Sequence, residues 1–176
     1  MHKRAFSFAL FCMSTKFSFS KMTEPDAREI LTWRYDEPYD FYDPTDIDIE
    51  RDIEAMVEPT NLYLAVRDGE DQLIGYYCFG GEAQVTGGDY SENALDIGGN
   101  SRPDRLGTGS GEMFIRAAMD FGKMFFNPDK FRATVAAFNT RALRMCEKAG
   151  FVWTQKFTRA DGTEFVILVK ETEKEG

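Results

Sequence analysis

The chain has 176 residues, of which 43% are apolar and 14% aromatic, which suits one domain with a packed core. Its net charge of -9 argues against nucleic acid as the main partner, because phosphate binding needs a basic surface. No run approaches the ~20 apolar residues that span a bilayer, so no membrane-spanning helix is expected.

Lys3 and Arg4 precede a short apolar run, residues 6–13, that ends without a small-residue cleavage pattern. Met13 then sits just before the first clear strand. The chain is expected to divide into an N-terminal extension, residues 1–12, and a single domain, residues 13–176. Three scattered cysteines, Cys12, Cys78 and Cys146, show neither zinc spacing nor a disulfide framework. A reducing cytoplasm is the simplest compartment. The lone histidine, His2, leaves no histidine-based triad or multi-histidine metal site, and no metal is expected.

Residues 17–20 alternate apolar and polar side chains and read as a strand. Thr23 precedes Glu24-Pro25-Asp26, a helix start with a capping hydroxyl, a proline and acids in the first turn. That helix is expected to run to about Trp33. Residues 36–44 form a loop of Pro, Tyr and Asp. A second helix is expected over residues 46–57, where Ile49, Ile53, Met56 and Val57 recur at helical spacing. Residues 24–58 hold thirteen acidic and three basic residues, a net of -10. They form either a solvated acidic face or the border of a site for a cationic or amine substrate.

Residues 61–67 and 72–79 pair as a hairpin around Asp68-Gly69. A polar connection over residues 80–90 leads to a strand at 94–100, whose Gly98 and Gly99 suggest a bulge or a close approach by a ligand. A helix follows over residues 108–126, then a strand at 131–137. Asn139 caps a helix that stops at Gly150. Residues 151–158 and 163–170 close the chain as a hairpin around Asp161-Gly162. The order β-α-α-β-β-β-α-β-α-β-β is a mixed α/β domain with a largely antiparallel sheet.

The segment Arg105-Leu106-Gly107-Thr108-Gly109-Ser110-Gly111 places three glycines at alternate positions directly before a helix. Glycine lets the backbone turn tightly and lets a ligand approach without an intervening Cβ. The free N–H groups of the first helical turn attract an anion, and Arg105 adds a formal charge. The loop is not a Walker A loop, since no Gly-Lys-Ser/Thr closes it. Nor is it a dinucleotide fingerprint, since the final glycine spacing is wrong and no acidic residue follows ~20 residues later. A pyrophosphate cradle and a plain strand-to-helix turn both remain.

Downstream, the segment from Val135 through Asn139-Thr140-Arg141-Ala142 and Glu147-Lys148 to Gly150-Phe151 resembles the second signature of the GNAT superfamily of N-acetyltransferases. Residues 101–111 resemble the first, Gln/Arg-x-x-Gly-x-Gly/Ala, with Leu106 at the usual Gln/Arg position and Arg105 one place earlier. The resemblance implies a GNAT-like fold: a mostly antiparallel sheet of six to seven strands, about four helices, and a splay between the fourth and fifth strands. It implies acetyl-CoA as acyl donor, with Arg105, Leu106, Gly107, Thr108, Gly109, Ser110 and Gly111 at the pyrophosphate. Asn100 and Ser101 would pair with the pantetheine arm, and Asn139 would contact it.

The implied reaction is attack of an amine on the thioester. An alkylamine with a pKa near ~10 needs a base to lose its proton. Asp96 is ranked first for that role and Glu82 second. The family often carries a Tyr on the helix after Asn139 to reprotonate the leaving thiolate; Cys146 stands there in this chain. Trp33, Tyr35, Tyr39 and Tyr42 follow the first helix, where the family builds its acceptor wall. The acceptor would be a small-molecule amine or a peptide N-terminus. A non-catalytic acyl-CoA-binding or sensing module is the alternative. Edge strands leave a homodimer open.

Overall fold

The computed structural model of the chain describes residues 11–12, 16–45 and 48–173. Eight strands form one sheet, in the order β1-β2-β3-β4-β5-β6-β8-β7. They are β1 (Phe11–Cys12), β2 (Ser18–Lys21), β3 (Tyr63–Arg67), β4 (Leu73–Phe79), β5 (Leu95–Ser101), β6 (Lys130–Ala136), β7 (Val152–Thr158) and β8 (Glu164–Glu171). The helices are α1 (Glu24–Ile30), α2 (Ile49–Val57), α3 (Gly111–Phe126) and α4 (Thr140–Lys148). Seven of the strands are those the sequence pattern predicts. β1 adds a two-residue edge, so the end of the expected extension pairs with β2; residues 1–10 lie outside the described residues.

Local chemistry sets the helix ends. Thr23 Oγ1 accepts from Asp26 N at 3.3 Å, and the Asp26 carboxylate accepts from Thr23 N, a reciprocal cap. α1 stops at Ile30 rather than near Trp33. Thr32 Oγ1 donates to the Glu29 carbonyl at 2.6 Å and Trp33 N donates to Ile30 O, so the chain leaves the helix in a tight turn. Asp48 caps α2 through Arg51 N. Residues 46–47, the expected start of that helix, lie outside the described residues. α3 begins at Gly111 rather than at residue 108, because Gly107 (φ 73°) and Gly109 (φ 81°) hold left-handed conformations that a right-handed helix does not contain.

The sheet separates two cores. Alternation on β3 sends Leu64 and Val66 to one face and Ala65 to the other. On the first face, Phe19, Phe79, Phe121, Phe131 and Leu168 pack with α3 and α4. On the second, Ala27, Ile30, Trp33, Ile53 and Met56 seat α1 and α2 on Ala65 and Leu73.

One pair of neighbours, β5 and β6, is parallel; the rest are antiparallel. β5 and β6 meet only at Leu95↔Phe131 and Asp96↔Arg132. Beyond that point β5 stays with β4 as far as Ser101, and β6 stays with β8 as far as Ala136. The sheet therefore opens between its fourth and fifth long strands, as the sequence resemblance implies. Arg102 N donates to Ile74 O, and Asn100 pairs with Tyr76. Strand alternation then aims the N–H and C=O of Gly99 and Ser101 away from β4, into the opening. On the opposite lip, Ala137 N donates to Glu164 O, so the Ala136 N–H faces the opening.

The pairing of β4 with β5 runs from Phe79↔Ile97 to Gly75↔Ser101 without a register shift. The bulge suggested at Gly98-Gly99 is therefore not formed. Gly99 answers a different need: a Cβ there would collide with the Tyr76 carbonyl oxygen of the neighbouring strand.

Candidate active site

The glycine loop sits at one mouth of the opening. The Ser110 side chain makes no capping hydrogen bond to the α3 amides, and the first intrahelical bond runs from Phe114 N to Ser110 O. The amides of Gly111, Glu112 and Met113 are thus left for a ligand. Thr108 Oγ1 donates to Arg105 O at 2.9 Å and bonds the Ser110 hydroxyl at 2.8 Å, which ties the loop together. The left-handed Gly107 and Gly109 turn the chain without a Cβ over these amides, and a Cβ at Gly109 would meet nothing within 4 Å. The arrangement fits an anion such as a pyrophosphate.

The cation beside the loop is not Arg105. Its Nη2 bonds Asp68 Oδ2 at 3.0 Å, on the β3–β4 turn, and this pairing takes its charge away from the amides. Arg141, in the first turn of α4, stands there instead. Its guanidinium lies 3.9 Å from where a Gly107 Cβ would be, and it stacks 4.7 Å over the Tyr39 ring. The clue was present in the sequence, since Arg141 follows the capping Asn139 by two residues.

At the other mouth, on the second face of the sheet, lies a cavity of about 260 Å³. Trp33, Tyr35, Tyr42, Tyr63 and Tyr76 line it, together with Asp52, Glu82 and Asn100. Of the expected acceptor residues, Trp33, Tyr35 and Tyr42 meet here, while Tyr39 sits under Arg141. Tyr63, Tyr76 and Asp52 were not anticipated. Tyr63 and Tyr76 lie on paired strands with their rings 6.1 Å apart, an arrangement fixed by strand register. Burial raises the pKa of the Tyr35, Tyr63 and Tyr76 hydroxyls above the ordinary phenol value, so all three stay protonated. Tyr35 Oη donates to Ser101 O at 2.9 Å, and its amide donates to Asp43 Oδ1, fastening the acceptor loop to β5. Tyr63 Oη donates to Glu82 Oε2 at 3.2 Å. Glu82 is exposed at the rim, on the turn Gly80–Ala83.

Asp96 does not reach this cavity. It is 3% exposed and shares both carboxylate oxygens with Arg132, and Gln84 Nε2 donates to Oδ2 at 2.8 Å. To accept a proton from an amine it would have to leave a buried cation. Of the two carboxylates ranked as base, the geometry therefore favours Glu82. Cys146 is 2% exposed in the core beneath α3 and α4, and burial pushes its thiol up to about 12. It faces the packed side of α4, away from the acceptor cavity. Asn139 occupies the β6–α4 junction: Oδ1 accepts from Ala142 N at 3.0 Å, and Nδ2 donates to Tyr42 Oη at 3.1 Å. Asn100 Oδ1 accepts from Ser101 N at 3.1 Å, which leaves the Gly99 N–H as the open donor on that lip.

A sheet opened at a single parallel pair, with free helix-start amides at one mouth and an aromatic cavity with acidic residues at the other, defines a mixed α/β fold cleft through its sheet. No family model matches the sequence, and no curated protein matches it. Solved structures do. A GNAT-family acetyltransferase from Bacillus anthracis superposes with a TM-score of 0.71 at 17% identity, over 93% of this chain and 98% of that one. A spermidine N-acetyltransferase from Vibrio cholerae, solved with CoA and spermine, gives 0.65 at 18% identity, over 90% and 96%. A dodecameric form of the Vibrio cholerae enzyme gives 0.64 at 18%. The chain has the GNAT N-acetyltransferase fold.

Proposed function

We propose that the chain is an acetyl-CoA-dependent N-acetyltransferase that passes the acetyl group directly to a primary amine, a small molecule or a peptide N-terminus, in a ternary complex. One observation carries this reading: the opening between β5 and β6 joins an anion cradle on one side to an aromatic, carboxylate-bearing cavity on the other. A long thioester anchored by its phosphates would present its reactive end to an amine held in the cavity.

Acetyl-CoA supplies the activated acyl group. The amides of Gly111, Glu112 and Met113, with Arg141, would hold its phosphates. Its arm would run along the lip of β5, where the Gly99 N–H would polarise the thioester carbonyl. Trp33, Tyr35 and Tyr76 would enclose the amine's apolar stem, and Asp52 and Glu82 would attract its ammonium. Glu82, oriented by the Tyr63 hydroxyl, would take the proton before attack. The spermine seen with the Vibrio cholerae enzyme is an amine ligand of that protein and agrees with this class of acceptor. The two free, buried thiols suit a reducing compartment, here assigned to the cytoplasm.

The test is thiol release from acetyl-CoA over a panel of alkylamines, polyamines and peptide N-termini. Release with at least one class supports the reading. A second reading, a non-catalytic acyl-CoA sensor, draws on the structural commitment of Asp96 and Cys146. Thermal stabilisation by CoA with no turnover of any amine would favour it, and no stabilisation by CoA or acetyl-CoA would remove both.

A further inference from the structure

We infer that Tyr42 is the proton donor to the leaving thiolate, taking the place that Cys146 cannot fill. The inference rests on the acetyltransferase reading above.

Three tyrosines of the cavity, Tyr35, Tyr42 and Tyr63, hydrogen-bond through their hydroxyls, and two of those hydroxyls are already spent. Tyr35 gives its hydrogen to the Ser101 carbonyl, and Tyr63 gives its hydrogen to Glu82. Tyr42 is arranged the opposite way. Its oxygen receives a hydrogen bond from Asn139 Nδ2 at 3.1 Å. A phenol oxygen that accepts from a donor keeps its own hydrogen for a further partner. Burial raises the Tyr42 pKa, and the Asn139 hydrogen bond works against it by favouring the phenolate that would remain after transfer.

Placement supports the role. Tyr42 ends the turn Tyr39–Tyr42 and is held by Phe41 and Phe138, with ring centroids 5.1 and 6.0 Å away. It lines the same cavity as Asn100 of β5 while touching Asn139 at the end of β6. It therefore bridges the two lips at the point where a thioester threading the opening would emerge. Cys146, by contrast, is sealed in the core with its thiol pushed up to about 12.

The step balances. The amine nitrogen, having given one proton to Glu82, forms a bond to the acetyl carbon. The carbon–sulfur bond breaks, its electron pair stays on sulfur, and sulfur takes the Tyr42 proton to leave as the free thiol. The nitrogen, once bonded to the acyl carbon, gives its second excess proton back to Tyr42 through solvent, and Glu82 passes its own proton to bulk water, so ammonium and thioester yield amide, free thiol and one released proton.

Tyr42→Phe keeps the ring and removes only the hydroxyl. The expected result is a fall in kcat of roughly 10²-fold, the usual scale of a single acid–base group, with KM for acetyl-CoA within about two-fold. Binding gives a readout that packing would not move. At pH 9, where a free thiol is largely ionised, the variant should bind CoA several-fold more weakly than the unsubstituted protein. It should bind desulfo-CoA equally well. An unchanged kcat, or equal losses for CoA and desulfo-CoA, would overturn the assignment. If the unsubstituted protein acetylates no amine, the acetyltransferase reading has failed, and the CoA and desulfo-CoA comparison alone judges Tyr42.

Discussion

Arg132 holds Asp96 by a two-point ion pair, Nε to Oδ1 at 2.6 Å and Nη2 to Oδ2 at 2.8 Å, with both side chains 4% exposed. The pair lies where β5 and β6 last touch before they part. Arg132 also donates to the Glu92 carbonyl and stacks over Tyr90, so its charge is fully committed. Removing one partner of such a pair strands the other, at a cost of about 3–5 kcal/mol. Asp96→Ala should lower the melting temperature by roughly 6–20 °C at this chain length. Turnover by the fraction still folded should persist, whereas loss of turnover at full stability would restore Asp96 as the base.

Glu82→Gln tests the other carboxylate. The amide retains an acceptor for Tyr63 Oη and removes the proposed base. Because Glu82 is exposed, stability should move by less than about 0.5 kcal/mol, while kcat/KM should fall about 10²-fold or more. A stable variant with undiminished turnover would move proton removal to Asp52 or to solvent.

Cys78 and Cys146 give a pH prediction. Burial pushes both thiols up to about 12 from an ordinary value of 9.0. Between these values the unfolded chain loses both protons while the folded chain keeps them. The folded state therefore binds more protons, and stability is full below pH 9 and declines as pH rises from 9 toward 12. Denaturant unfolding at pH 8 and 10 should show the drop, and a Cys78→Ala/Cys146→Ala variant should show a smaller one. Native thiol labelling at pH 8 should be slow at both positions. Cys146→Ala should leave turnover intact.

The two ends of the site differ in how far the sequence exposes them. The loop at residues 105–111 and Asn139 are legible because the roles proposed for them rest on backbone geometry, which glycines and a capping side chain announce locally. Glu82, Trp33, Tyr35 and Tyr42 were legible as candidates, but their meeting at one cavity depends on the pairing of β4 with β5 and on the Tyr35–Ser101 bond. Asp96 misleads for a related reason. Its place on β5 suits a base, and only the register with β6 reveals Arg132 opposite it. The direction of the Arg105 side chain is likewise set by Asp68, thirty-seven residues away. The start of α3 moves from residue 108 to Gly111 because the positive-φ Gly107 and Gly109 delay the first turn.

Gly109→Ala tests the loop at a position where space is not the issue. A Cβ there meets nothing within 4 Å, so the cost is the left-handed backbone, about 1–2 kcal/mol. Gly162 has the same geometry, φ 87° with open space around it, in the β7–β8 turn. Both alanine variants should lose similar stability. Only Gly109→Ala should weaken CoA binding by calorimetry, and equal affinities in the two would remove the loop from the phosphate site.

Arg141 and Arg105 separate the site proposed from the structure from the one the sequence suggested. Arg141 lies against Gly107, while Arg105 is turned to Asp68. Exposed charges act across solvent and are screened by salt over about 10 Å at 0.1 M ionic strength. Arg141→Ala should therefore weaken CoA binding most at low salt and flatten its salt dependence. Arg105→Ala should leave that dependence near its original slope, because the charge it removes is already balanced by Asp68. The Tyr39 ring beneath Arg141 adds a second handle. Tyr39→Ala removes the platform but keeps the charge, so it should reproduce part of the affinity loss without altering the salt slope. The reverse order, with Arg105→Ala the more damaging change, would mean that the Asp68 pair breaks when the phosphates arrive and that Arg105 swings to meet them.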